Sequence, residues 1–244
     1  MGDDYFELGA VEQAERLKKL FSYVPSNQVN RTVSKGTTGS TSTYTLGEFQ
    51  ANVEYRGTDN EPYTGYLSEV TYYTDDTKTV VEQVVKIYAP ATSQIEQIAQ
   101  GFSFHPYQFR KNIKSIRRYY HTANEFNCGA DTMYVRGETA PDAWMFAMVS
   151  AHELGHSLDF SGGYRSTWNE AYAARSLDIN KVSGYGNSNN YEDFAEFTQF
   201  VISCSGDVVM LKMVKEMFPG RFDILADILN DQNDGNGLLN VAYE

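Results

Sequence analysis

The sequence predicts an α+β fold: a twisted sheet with helices around it, then a mainly helical C-terminal lobe, with a β-rich N-terminal region. Three observations carry this expectation. Two runs rich in Tyr and Val, "GYLSEVTYY" (65–73) and "TVVEQVVKIY" (79–88), alternate with period 2 on either side of the polar break "TDDTK", the pattern of a hairpin. From Pro141 onward, apolar residues recur at helical spacing instead. The chain also lacks any internal repeat of the roughly 20 to 50 residues that would signal a solenoid or propeller.

Taken in order, residues 6–21 place Leu8, Val11, Ala14, Leu17, Leu20 and Phe21 at helical spacing, so an amphipathic helix is expected first. The small polar stretch "SKGTTGSTST" (34–43) reads as a linker. "TYTLGEFQANVEY" (43–55) is a strand partner for the hairpin, whose aromatic faces are read as sheet core. After Pro90, "TSQIEQIAQGF" predicts a short helix with Ile95, Ile98 and Ala99 inward and Thr92 or Ser93 as its cap. "IKSIRRYYH" and "DTMYVRG" look extended, the second as an edge strand. Pro141 suits a first helical turn, and Trp144, Met145, Met148, Val149, His152 and His156 follow at helical spacing. Helices are expected at 190–204 and 208–217, with Pro219-Gly220 stopping the latter and a last short helix at 222–230. Two regions result: 1–90, an N-terminal helix and β-rich region, and 91–244, the domain that carries the chemistry.

The chain has 244 residues, 41% of them hydrophobic, enough for one large domain or two modest ones. Lys and Arg total 20 against 32 Asp and Glu, a formal charge of −12. Such a surface repels phosphate backbones and anionic lipid, so no nucleic-acid or membrane-surface partner is expected. The basic cluster "RKNIKSIRR" (110–118) is read as a solvated face. No apolar run approaches the roughly 18 to 20 residues of a membrane span, and the start shows no secretion signal. Two cysteines, Cys128 and Cys204, allow one disulfide or two buried thiols. The Lys-poor, Ser/Thr/Tyr/Asn-rich texture and the sequon Asn30-Arg31-Thr32 lean toward a secreted, extracellular protein, expected as a monomer.

The stretch "SAHELGHSLDF" (150–160) holds two of the four histidines. On a helix, positions i and i+4 lie one above the other, so His152 and His156 can aim ring nitrogens at one point. Glu153 sits about 100° around the helix from His152, placed for a water on the metal rather than for the metal itself. H-E-x-x-H is thus two neutral nitrogen ligands plus a general base, the donor set of one zinc ion (Zn2+) per chain. Chance alone gives this pattern in on the order of a few chains per thousand of this composition.

Catalytic zinc needs a third protein ligand. Position 159 is Asp and position 162 is Gly, which excludes a third histidine in an extended H-E-x-x-H-x-x-G-x-x-H motif. Asp159, Glu170, Asp178, Glu192 and Glu196 are the carboxylate candidates. In "SGYGNSNNYEDFAEFTQF" (183–200), Glu192 and Glu196 share one helical face, with Phe194, Phe197 and Val201 opposite. Two stacked carboxylates repel each other unless cations or donors lie nearby. Zinc on Glu192 and an imidazole N–H on Glu196 would supply both.

"HELGH" followed some thirty residues later by "YGNSNNYEDFAEF" resembles the anthrax lethal factor-like zinc peptidases, a gluzincin group that also includes clostridial proline-specific endopeptidases. The similarity covers residues 130 to 205, and the first third of the chain is outside it. It implies a zincin-like metallopeptidase fold and zinc-dependent hydrolysis of a peptide or protein substrate. It further implies His152, His156 and Glu192 as metal ligands, Glu153 as the base, Tyr185 as the phenol facing the oxyanion, and Glu196 as an outer partner of the site. Asp159 and Glu170 are further outer candidates. An extended substrate is expected to add to the strand at 131–137, at Met133, Tyr134 and Val135. Two alternatives stand beside this reading. One is thermolysin-like ligation through Glu170 in "WNEAYAARSLD", although Glu170 follows His156 by only 14 positions where that group uses about 18 to 20. The other is a non-catalytic extracellular interaction module whose zinc is structural.

Overall fold

The computed structural model describes residues 42–74, 78–123, 125–162, 178, 182–183, 185–186, 188–206, 208–232, 239 and 242. The helix expected at 6–21, the sequon at 30–32, most of the polar stretch 34–43 and Glu170 lie outside these residues. One compact unit runs from Ser40 to Ser161, and the described residues from 162 onward belong to a second.

The first unit is built on a mixed seven-stranded sheet: β1 (Thr43–Leu46), β2 (Gln50–Arg56), β3 (Pro62–Tyr73), β4 (Val81–Ala89), β5 (Ser115–Tyr120), β6 (Glu125–Cys128) and β7 (Thr132–Gly137). The expected hairpin is β3–β4, paired antiparallel with Val70 opposite Val85. β1 and β2 share the other edge of β3, end to end. At Gly47, between them, a Cβ would stand 2.8 Å from the Glu69 carbonyl oxygen, so only glycine lets the chain pass from one to the other. From β4 the order continues β5, β7, β6, with β4–β5 and β5–β7 parallel and β6–β7 antiparallel.

The parallel β4–β5 step is made by a helical crossover, α1 (Thr92–Ser103) and the single turn α2 (Tyr107–Arg110). Ile95, Ile98, Ala99 and Phe102 of α1 are buried, as the spacing predicts. They lie on the sheet face that carries Val70, Tyr72, Val85 and Ile87, where Tyr72 meets Phe102 edge-on and donates to the Ala99 carbonyl at 3.2 Å. The expected cap at Thr92 or Ser93 is not used: Ala91 holds that position and makes no side-chain cap bond.

Several expectations need correction. The division at residue 90 falls inside this unit, because β3 and β4 share a sheet with β5 and β7 and bury one face with them. The 131–137 strand is not an edge. β7 lies between β5 and β6, so its backbone groups are spent on ladders to both sides, and Met133 and Val135 point into the core. The edge on that side is β6, and an added peptide cannot pair with Met133, Tyr134 and Val135.

The basic cluster is not a solvated face throughout. Arg110 is fully buried: it stacks over Tyr72 at 4.6 Å, donates to Ser42 Oγ at 2.6 Å and to the His105 carbonyl at 3.0 Å, and pairs with Glu82 and Gln83. Arg118 is buried too, donating to the carbonyls of Gly137 (2.8 Å) and Tyr119. Lys114 does face solvent, 3.6 Å from Asp131.

The unit closes with α3 (Ala143–Gly162), which carries the H-E-x-x-H motif. Asp142 starts it, accepting from Met145 N at 2.7 Å through its side chain and from Phe146 N at 2.9 Å through its carbonyl. Pro141 therefore precedes the helix rather than sitting in its first turn. A Cβ on Gly101 would stand 2.4 Å from the Ala143 carbonyl, so glycine there allows α1 and the start of α3 to touch backbone to backbone.

The second unit contains α4 (Asn190–Cys204), α5 (Val208–Met217) and α6 (Pro219–Gln232). The first two match the sequence expectation. α5 ends at Met217, just before the Phe218-Pro219 junction, as expected; Pro219 also opens α6, which starts earlier than the expected 222 and where a missing N–H costs nothing. Phe197, Phe200, Phe218, Phe222, Leu225 and Leu229 are buried, with Phe218 edge-on to both Phe197 and Phe200. Cys128 and Cys204 are both buried free thiols. Among the described residues no helix is long and apolar enough to cross a membrane.

Next to α1, His105 is fully buried and its Nε2 lies 2.7 Å from Ser150 Oγ on α3. Ser150 donates to the Ala147 carbonyl at 3.3 Å, so the imidazole is the donor to Ser150 and its Nδ1 has no hydrogen-bond partner. Burial, aided by the Arg110 charge, holds this histidine down at about 3. The unfolded chain takes up a proton there below about pH 6.5 while the folded chain does not. Stability is therefore expected to fall as pH drops from 6.5 toward 3, by about 2 kcal/mol at pH 5 from this residue. Denaturant melts at pH 7 and pH 5 test this. The loss should shrink by that amount in His105→Gln, and equal losses in both chains would remove His105 as its source.

Candidate metal centre

Helix α3 has two chemically different sides. Phe146, Ala147, Ala151, Leu154 and Leu158 are buried, and Phe146 meets Phe126 of β6 at 5.9 Å between ring centroids. Ser157 donates to the Ala130 carbonyl at 2.9 Å, tying the helix to the β6–β7 turn. With that side fixed, the helical period turns Met145, Met148, His152, His156 and Phe160 the other way. Met145, Met148 and Phe160 are exposed, and the two histidines half-buried.

The imidazoles meet as their spacing predicts. His152 Nε2 and His156 Nε2 are 3.1 Å apart, with the rings at 77°. A tetrahedral zinc with bonds of about 2.0–2.1 Å places its ligand nitrogens about 3.3–3.4 Å apart. The pair is within a few tenths of an ångström of that span before any metal is considered.

Glu153 is buried on the flank of the helix and close enough to Cys128 for its charge to act on the thiol. Burial first, and the Glu153 carboxylate second, push the Cys128 thiol well above its ordinary value. A protonated thiol is a poor metal ligand, so Cys128 stays outside the donor set.

Glu192 stands in the first turn of α4. Asn189 caps that turn, its side chain accepting from Tyr191 N at 3.0 Å and Glu192 N at 3.1 Å. One group of three residues able to hold a metal ion occurs among the described residues: His152, His156 and Glu192 each offer a ligand atom, and these atoms lie within 4.8 Å of one another. Two imidazoles and a carboxylate are a donor set that suits zinc and leaves a fourth position for water.

The other sequence candidates fall elsewhere. Asp159 and Glu196 are buried, but neither belongs to that group of ligand atoms. Glu196 lies one turn beyond Glu192 on α4, where Gly186 packs against it: a Cβ on Gly186 would meet Asp193 Cα at 3.3 Å and Glu196 Cβ at 3.4 Å. Asp178 is committed to α6, accepting from Gly220 N at 2.8 Å and from Arg221 at both its backbone and guanidinium. Tyr185 is 51% exposed in the turn before α4, its carbonyl accepting from Ser188 N. Two features have no counterpart in the sequence reading, the His105–Ser150 contact and the Asp178–Arg221–Asp193 network. One signal pointed to the second: an arginine in the first turn of a helix opposes the helix dipole and needs a local reason.

Comparison with protein-family models, curated proteins and solved structures finds no match.

Replacing His152, His156 or Glu192 by Ala is expected to lower zinc affinity by more than about a hundredfold, beyond what loss of an outer partner costs. Asp159→Ala should stay within about tenfold of the unaltered chain. Competition against a chromogenic chelator reads both, and a Glu192→Ala chain that binds zinc normally would remove Glu192 from the ligand set.

Proposed function

We propose that this protein is a zinc-dependent metalloendopeptidase of zincin-like type. The observation that carries the reading is the proximity of the His152, His156 and Glu192 ligand atoms, with a buried carboxylate, Glu153, next to the first histidine in the chain. The similarity of "HELGH" and "YGNSNNYEDFAEF" to the lethal factor-like peptidases points the same way.

Zinc, when bound, lowers the pKa of its water to about 7 and polarises a carbonyl. With the metal held by His152, His156 and Glu192, Glu153 would take the proton of the attacking water and give it to the departing amine. The Tyr185 phenol, at a half-exposed turn next to α4, donates a hydrogen bond to the oxygen that gains charge in the tetrahedral state. Glu196, one turn from Glu192 and buried, is the carboxylate we assign as an outer partner of the site. The substrate is a peptide or protein, and the setting extracellular.

Glu153→Gln is expected to keep zinc affinity within a few fold while turnover of an unfolded protein substrate falls by at least about a thousandfold. Full proteolysis by that variant would remove the base. Tyr185→Phe should lower kcat by about ten- to a thousandfold with zinc still bound. Loss of metal instead would make the phenol a ligand. A chain that takes up one zinc and cleaves nothing, with or without chelator, would favour the interaction module.

A further inference from the structure

We propose that Arg221 is a positioning residue for Glu192, acting through Asp193; the inference rests on the metal reading above. Arg221 is 2% exposed in the first turn of α6. Its Nε and Nη2 each donate at 3.0 Å to the two oxygens of Asp193, a two-pronged grip, and its Nη1 donates to Asp178 Oδ2 at 2.8 Å. Asp178 also accepts from Gly220 N and Arg221 N, so it anchors the arginine to the helix start.

A buried ion triad is a poor device for stability, because desolvating three charges offsets most of their attraction. Phe222, Leu225 and Leu229 already bury an apolar side of α6. What the fork adds is direction. Asp193 follows Glu192 by one residue, about 100° around α4. Holding both oxygens of Asp193 fixes the rotation of α4 about its axis, and the Asn189 cap fixes its start. A side-chain tip stands about 6 Å from a helix axis, so a 20° roll would move the Glu192 carboxylate by about 2 Å. Metal ligation tolerates about 0.2 Å. Pairing also neutralises much of the charge of the buried Asp193 next to the half-buried Glu192.

The test uses the full chain, with zinc and cobalt(II) as probes. Arg221→Lys keeps the charge and loses the fork. Arg221→Met combined with Asp193→Leu removes both charges and keeps the volume, while Asp178 retains its backbone donors. Both variants are expected to melt cooperatively, the double variant near the unaltered chain, yet to bind zinc about ten- to a hundredfold more weakly. Their cobalt(II) absorption bands should shift in position or intensity. Leu229→Ala, a comparably destabilising change elsewhere in α6, should leave affinity and bands as they are. Wild-type affinity and bands in a folded Arg221 variant would overturn the inference while leaving the metal site intact. So would an equal loss in Leu229→Ala, which would assign the effect to general loosening. Failure of the unaltered chain to bind zinc would overturn the metal reading, and this inference with it.

Discussion

Everything chemical in this protein depends on one helix being gripped along one side. Two imidazoles four residues apart converge only if the helix between them is regular and cannot roll. In α3 the regularity comes from a capped start at Asp142 and an uninterrupted apolar side of Phe146, Ala147, Ala151, Leu154 and Leu158. Resistance to rolling comes from contacts at three heights: Gly101 against Ala143, His105 against Ser150, and Ser157 against Ala130. Each tie lies on the side away from the histidines. The ring nitrogens, 3.1 Å apart, thus stand on a helix whose opposite side is fixed by packing.

Buried cations recur in both units and do different work. Arg110 is surrounded by acceptors and aromatic faces from β3, β4 and α1, and joins sheet to crossover. Arg118 gives its donors to carbonyls at the ends of β5 and β7, where the ladder runs out. Arg221 answers two carboxylates. A guanidinium is weakly hydrated and carries five donors in a plane, so it can be buried where a lysine could not. Both signs of charge are therefore found inside: these arginines share the buried positions with carboxylates such as Glu153, Asp159, Asp178, Asp193 and Glu196.

The sequence made the local elements legible and the neighbours illegible. Alternation over 65–73 and 79–88 identified β3 and β4, and helical spacing identified α4 and α5, because each pattern is written in the residues that make the element. H-E-x-x-H was readable for the same reason: both nitrogens come from one helix. Strand order was not, since β5 and β7 look equally extended whichever lies at the edge, and the four-residue β6 was not read as a strand at all. Arg110 and Arg118 were read as solvated because charge along a chain says nothing of which acceptors wait across the core. Pro219 was legible as the end of one helix but not as the start of the next, which the hydrogen bonds on both sides of Phe218 reveal. Asp178 looked like any other acid until its partner, 43 positions away, was in place.

The two thiols have a practical consequence. Cys128 lies under α3 at the end of β6, and Cys204 closes α4, so each unit encloses one cysteine thiol. Neither is accessible in the folded chain, and burial suppresses the reactive thiolate of Cys128. Alkylation by a small reagent must then wait for local opening, and its rate at each sulfur is a clock for the breathing of that unit alone. The chain carries its own pair of reporters, and no foreign label is needed to ask which half loosens first.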